Sequence, residues 1–144
     1  MRVFWTALAV VSLGGIAVTT HAARTGQDQS KKDQTHVFEL RTYHVAPGKM
    51  QALNARFRDH TNRLFKKHGM TVVGFWTPDD PKEAESKLIY VLSFPSREAA
   101  EKSWKAFRDD PNWKAVRERT EKDGKLVERV DSIFLNATDY SPLK

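Results

Sequence analysis

The sequence predicts one α+β domain on the ferredoxin-like plan, a βαββαβ chain whose four-stranded antiparallel sheet carries two helices on one face. Three observations carry that reading. Four short runs are rich in β-branched and aromatic residues, two stretches between them repeat apolar residues at three- and four-residue spacing, and Pro, Gly or Asp stands at the junctions. At 144 residues, 40% hydrophobic and 29% charged, the chain has the size and composition of one ordinary globular core.

The first strand is expected over Val37 to Val45, in "VFELRTYHV", and ends at Ala46-Pro47-Gly48, where proline removes a donor and glycine permits the turn. In the following helix Met50, Leu53, Phe57, Leu64 and His68 form the apolar stripe, and Gly69 stops it. "MTVVGFWT" reads as the second strand, "PDDPKEAESK" as a polar loop, and "LIYVLSF" as the third strand. Ser96 caps a second helix whose buried stripe is Ala100, Trp104 and Phe107. Asp110-Pro111 restarts that helix with a capping carboxylate and a first-turn proline, which turns Trp113 and Val116 inward. A last strand spans about Leu126 to Leu135 and leads to the tail "NATDYSPLK".

Residues 1–23 differ in kind. Arg2 precedes "VFWTALAVVSLGGIAVTTHAA", an apolar run ending in small residues, the layout of a secretory signal peptide cut after Ala22 or Ala23. The run from Val3 to Val18 is shorter than the roughly 20 apolar residues of a spanning helix, so membrane attachment is expected only if the segment stays uncleaved. Residues 24–35, "RTGQDQSKKDQT", contain no large apolar side chain and read as a flexible polar leader to a domain over 36–144. The expected address is periplasmic or secreted. With no cysteine, disulfides, thiolate catalysis and zinc–thiolate sites are excluded, so stability has to come from the core or from a partner subunit. The formal charge of +6 is spread among acids, as in "REAAEKSWKAFRDD", which is the pattern of solvated helix faces and argues against nucleic acid as a partner.

The second and third strands are apolar on both sides. Alternation places Val72 and Trp76 opposite Val73 and Phe75 in one, and Leu88, Tyr90, Leu92 and Phe94 opposite Ile89 and Val91 in the other. A strand covered on one face alone alternates with polar residues, so this pattern calls for a second cover, and a second copy of the chain packed sheet to sheet supplies it.

Four segments resemble the NIPSNAP family of the dimeric α/β-barrel superfamily: "FELRTYHVAPGKM", "VGFWT", "SREAAEKSWKAFRDDPNWKAV" and "SIFLNATDYSPL". The "ELRTY...PGK" opening and the "DDPNW" break are the more specific of these. The resemblance implies a ferredoxin-like subunit, a homodimer whose two sheets form a barrel, and a cleft in each subunit. It implies no single reaction, because superfamily relatives include cofactor-independent monooxygenases, haem proteins and degradative enzymes.

Candidate site residues follow from spacing. Glu39, Arg41 and Tyr43 share one side of the first strand, with Phe38, Leu40 and Thr42 on the other. The row reads either as an anion- or carbonyl-binding line with Arg41 as the donor fork, or as an ionic pair that sets the dimer's register. Trp76, Trp104 and Trp113 are candidates for an aromatic ligand pocket, with core packing as the alternative explanation. His60 and His68 stand about 12 Å apart along the helix and cannot chelate one ion, so no metal site is expected. His60 is the one candidate for a lone axial haem ligand. No phosphate loop, nucleophile elbow or paired-carboxylate motif is present, catalytic residues are unassigned, and no cofactor is expected. The functional expectation is an exported dimeric module that binds a small hydrophobic or aromatic molecule. The alternatives are a cofactor-free monooxygenase or isomerase acting on an aromatic or quinone-like compound, haem binding, and a purely assembling role.

Overall fold

The computed structural model describes residues 36–144; residues 1–35, where a signal peptide and a polar leader are expected, lie outside the described residues. The elements run β1 (Val37–Val45), α1 (Met50–Arg56), a π-helical segment (Phe57–Thr61), α2 (Asn62–Lys67), β2 (Thr71–Trp76), α3 (Pro81–Ala84), β3 (Lys87–Phe94), α4 (Arg97–Asp109), α5 (Pro111–Thr120) and β4 (Val127–Asn136). The strands form one antiparallel sheet in the order β2-β3-β1-β4, so the α+β, ferredoxin-like plan is the observed architecture.

Local chemistry accounts for most boundaries. The Ser96 hydroxyl accepts the Ala99 N–H at 3.1 Å and starts α4, and the Asp110 carboxylate accepts the Asn112 N–H at 2.7 Å and starts α5 one residue before Pro111. Gly69 ends α2 with φ +73°, a conformation that costs a side chain strain. The loop expected at Pro78 to Lys87 contains one helical turn, α3. Asp80 accepts the N–H groups of Lys82 and Glu83 and Pro81 fills the first helical position, the same Asp-Pro device that opens α5.

The first long helix departs from regular α geometry. Its middle turn is π-helical: the Asn62 N–H bonds the carbonyl of Phe57, five residues back, and the Thr61 hydroxyl donates to the carbonyl of Arg56 at 3.2 Å. The widened turn keeps Arg56, Phe57 and Thr61 buried together, with Leu64 and Phe65 below them.

Register assigns the two faces of the sheet. Glu39 lies opposite Leu92 and Phe134, Arg41 opposite Tyr90 and Ser132, and Tyr43 opposite Leu88 and Val130. This side packs on the helices. Its core is an aromatic cluster in which Phe57, Phe65, Phe75, Tyr90, Trp104 and Phe107 meet largely edge-on, geometry worth about 0.5–1.5 kcal/mol per pair beyond the area buried. The other side has Leu40 between Val91 and Ile133, and Phe38 between Ser93 and Leu135. Ile133 at 57% exposure, Trp76 at 50% and Leu135 at 42% leave it open and apolar.

One expectation about faces is corrected. Strict alternation places Trp76 with Val72, but the β2–β3 pairing slips between Val72 and Gly74. This bulge puts Val72 and Phe75 against the helix-side cluster and sends Trp76 to the open side, opposite Ile89. Gly74 leaves room for the Trp76 ring folded over it, since a Cβ would lie 2.7 Å from that ring and push it aside.

Candidate functional site

The row Glu39–Arg41–Tyr43 lies beneath the helices. Glu39 is 1% exposed and both its carboxylate oxygens are bonded: Oε1 accepts from Arg41 Nη1 at 2.7 Å and from the Ser132 hydroxyl at 2.6 Å, and Oε2 accepts from the Trp104 indole N–H. These partners come from β1, β4 and α4 of a single chain. Through the Trp104 bond, Glu39 ties α4 to the sheet within one chain, on the helix side, which corrects the expectation that the pair sets the register between two sheets.

While bonded to Glu39, Arg41 also stacks its guanidinium 4.3 Å from the Trp104 ring centroid and 5.8 Å from that of Tyr43. Burial opposes its charge, but the facing Tyr90, Tyr43 and Glu39 outweigh that and raise its pKa above the ordinary arginine value. Tyr90 lies behind it, fully buried, with a hydroxyl that has no partner among the described residues. Burial pushes this phenol well above its usual range and holds it neutral.

A second buried guanidinium comes from the π-bulged helix. Arg56 is 4% exposed, donates through Nη1 to Glu121 Oε1 at 2.8 Å, and sits 5.3 Å from the Trp113 ring. The other oxygen of Glu121 accepts from Arg117 Nε at 3.2 Å. Burial works to raise the Glu121 carboxyl, but its bonds to Arg56 and Arg117 prevail and lower it. Sequence reading missed Arg56 because an arginine between Leu53 and Phe57 reads as polar filler. Its place one residue before Phe57 and three after Leu53, on the buried stripe, was the available clue.

Arg41, Arg56, Tyr43, Trp104 and Trp113 line one cleft of about 290 Å³ between the helices and the β1–β4 edge of the sheet. Arg108, Arg117 and Arg129 surround it, with Glu121 and Glu128 as its acids and Val127 and Val130 on the strand side. Trp76 does not belong to it. It lines a separate apolar cavity of about 430 Å³ on the open face, with Phe38, Val73, Val91, Leu135 and tail residues as far as Leu143. The three tryptophans are thus divided between opposite faces.

His60 lines neither cavity. Its Nε2 is 3.0 Å from Arg119 Nη2, at the surface and away from both cavities. His68 is 2.7 Å from Asp110, which also binds Lys67 at 2.7 Å and caps α5. Among the described residues no three His, Asp or Glu side chains converge on a metal position.

These features define a ferredoxin-like α+β subunit with a polar-aromatic cleft under its helices and an apolar sheet face opposite. The chain belongs to the NIPSNAP family, whose model matches residues 38–142. Among solved structures it is similar to a NIPSNAP family protein of unknown function from Agrobacterium tumefaciens, at 20% identity and TM-score 0.66, covering 77% of this chain and 96% of that one. A second NIPSNAP protein from the same organism is 24% identical at TM-score 0.64, covering 76% and 99%. A more distant likeness, TM-score 0.51 at 12% identity, covering 77% and 95%, is to a Streptomyces coelicolor monooxygenase solved with nanaomycin D. At these identities the likeness concerns the fold. No functionally curated protein matches the chain.

Proposed function

We propose that this protein is an exported homodimeric module whose subunits each bind a small molecule in the cleft beneath the helices. The observation that carries the reading is the convergence of Arg41 and Arg56 with Tyr43, Trp104 and Trp113 on one cavity, charged donors and apolar walls together, as small-molecule sites are built. Pairing through the open face is supported by the exposure of Ile133, Leu135, Val73 and Trp76 on one side of one sheet. Export is supported by the N-terminal apolar run with its small-residue end. Because the open face and the cleft are on opposite sides of the sheet, sheet-to-sheet pairing leaves the cleft unobstructed.

Native mass spectrometry of the protein purified from its own compartment tests the reading directly. A dimer with a reproducible small added mass is expected. A monomer overturns the pairing, and a bare dimer that takes up nothing from the compartment's metabolite extract overturns the binding role.

A second reading, cofactor-independent oxygenation or isomerisation of an aromatic or quinone-like compound, is supported by the fold likeness to the monooxygenase crystallised with nanaomycin D. The cleft lining contains no histidine, and both oxygens of Glu121 are engaged by arginines. Proton abstraction there would fall to Tyr43 or Glu128, and dioxygen consumption that stops in Tyr43→Phe would favour this reading.

A further inference from the structure

We infer that the cleft selects a small carboxylate with a flat apolar body, the carboxylate resting on the free donors of Arg41 and Arg56. The inference rests on the cleft being a ligand site and specifies what that ligand is.

A guanidinium carries five N–H donors and no acceptor. Arg41 places one on Glu39, and Arg56 places one on Glu121. Glu39 also takes Ser132 and Trp104, and Glu121 also takes Arg117, so each glutamate divides its oxygens among several donors. The Nε of each arginine is buried and has no acceptor among the described residues. A buried charged donor without a partner is costly, and both guanidiniums line one cavity that an incoming acceptor can enter.

Charge and shape narrow the class. Five arginines and two glutamates line the cavity, and no lysine or histidine does, so the surplus consists of planar forks suited to carboxylate or phosphate oxygens. Arg41 and Arg56 are each already partnered by one carboxylate, so the added charge they call for is small. A monoanion matches that remainder better than a dianion. Arg117 and Arg129 are largely exposed and supply a field that draws anions in. Tyr43, Phe107, Trp113, Val127 and Val130 give the ligand's body apolar walls. A volume of about 290 Å³ is at the small end of ligand sites and admits a single-ring or short-chain acid.

The test uses the purified protein and three probes of one shape: benzoate, neutral benzamide and phenyl phosphate. The indole N–H resonances of Trp104 and Trp113 are followed in nitrogen-15 spectra. Benzoate is expected to move both and to bind roughly tenfold or more tightly than benzamide, the difference a charged hydrogen-bonded pair makes. In Arg56→Gln that preference should fall below about threefold, while Arg56→Lys, which keeps the charge and loses the fork, should retain part of it. If Arg56→Gln fails to fold, the benzoate-to-benzamide ratio in the parent and in Arg56→Lys decides the matter. Equal binding of benzoate and benzamide overturns the anion preference while leaving the cleft a binding site. Tighter binding of phenyl phosphate than of benzoate overturns the choice of carboxylate. No movement of either indole with any probe overturns both this inference and the cleft reading.

Discussion

Glu39→Gln removes one charge from the centre of the fold with almost no change in shape, and the structure predicts its consequence closely. The parent carboxylate is 1% exposed and accepts three donors, from Arg41, Ser132 and Trp104. A glutamine amide keeps one oxygen and turns an NH₂ toward a donor, so at least one hydrogen bond is lost and its donor left unpaired, at about 1–3 kcal/mol. Arg41 also loses its counter-ion. Breaking a buried ion pair from one side costs about 3–5 kcal/mol, and the lower part of that range applies because the Arg41 side chain keeps 18% exposure. These costs overlap, and together they amount to about 3 kcal/mol, which in a domain of roughly 110 residues lowers Tm by about 12 °C. Thermal and urea unfolding monitored by tryptophan fluorescence measure it. Because the row sits under α4 and away from the open face, sedimentation should show the variant's association state unchanged. A Tm within about 3 °C of the parent, or a well-folded variant whose association state alone changes, would refute the placement of this pair as an intrasubunit clamp.

Two further predictions address other parts of the molecule. The Asp110 carboxyl is held well below the usual carboxylate range by the Lys67 ammonium first, then by His68 and the Asn112 N–H. Its folded pKa lies under the unfolded value of about 3.9, so its contribution to stability is complete above about pH 4 and disappears as the pH falls through the folded pKa. Asp110→Asn preserves the helix cap and removes that pH dependence, so unfolding midpoints of parent and variant should converge in acid; parallel acid limbs would contradict it. Ile133→Glu places a charge at the most exposed apolar position of the sheet's open face, next to Leu40. It should abolish self-association in sedimentation while leaving Tm at low concentration and the cleft probes unaffected, and an unchanged dimer would remove the open face as the pairing surface.

Much of the architecture was legible because it is written in local chemistry. The bounds expected for β1 match those observed, and Ser96, Asp110 with Pro111, and Gly69 each act at the helix ends where caps and stops were expected. These devices involve contacts a few residues apart, so sequence spacing contains them. The alternation of Glu39, Arg41 and Tyr43 against Phe38, Leu40 and Thr42 was legible for the same reason, since side-chain direction in a strand repeats every second residue.

What alternation cannot express is which side a helix covers when both sides carry apolar residues, and that depends on pairings between distant strands. The β2 bulge moved Trp76 away from the side of Val72 through a slip against β3 that leaves no periodic trace. The π turn buried Arg56, and its partner Glu121 stands 65 residues further on. The same holds for Trp104, a stripe residue by spacing, whose indole closes on Glu39 from 65 residues away. The sequence by itself determined the order, ends and amphipathic character of the elements, because those arise from interactions within a few residues. Tertiary packing alone decided that two arginines and two tryptophans from four separate elements share one cleft, because a burial site for charge exists only once distant donors and acceptors meet.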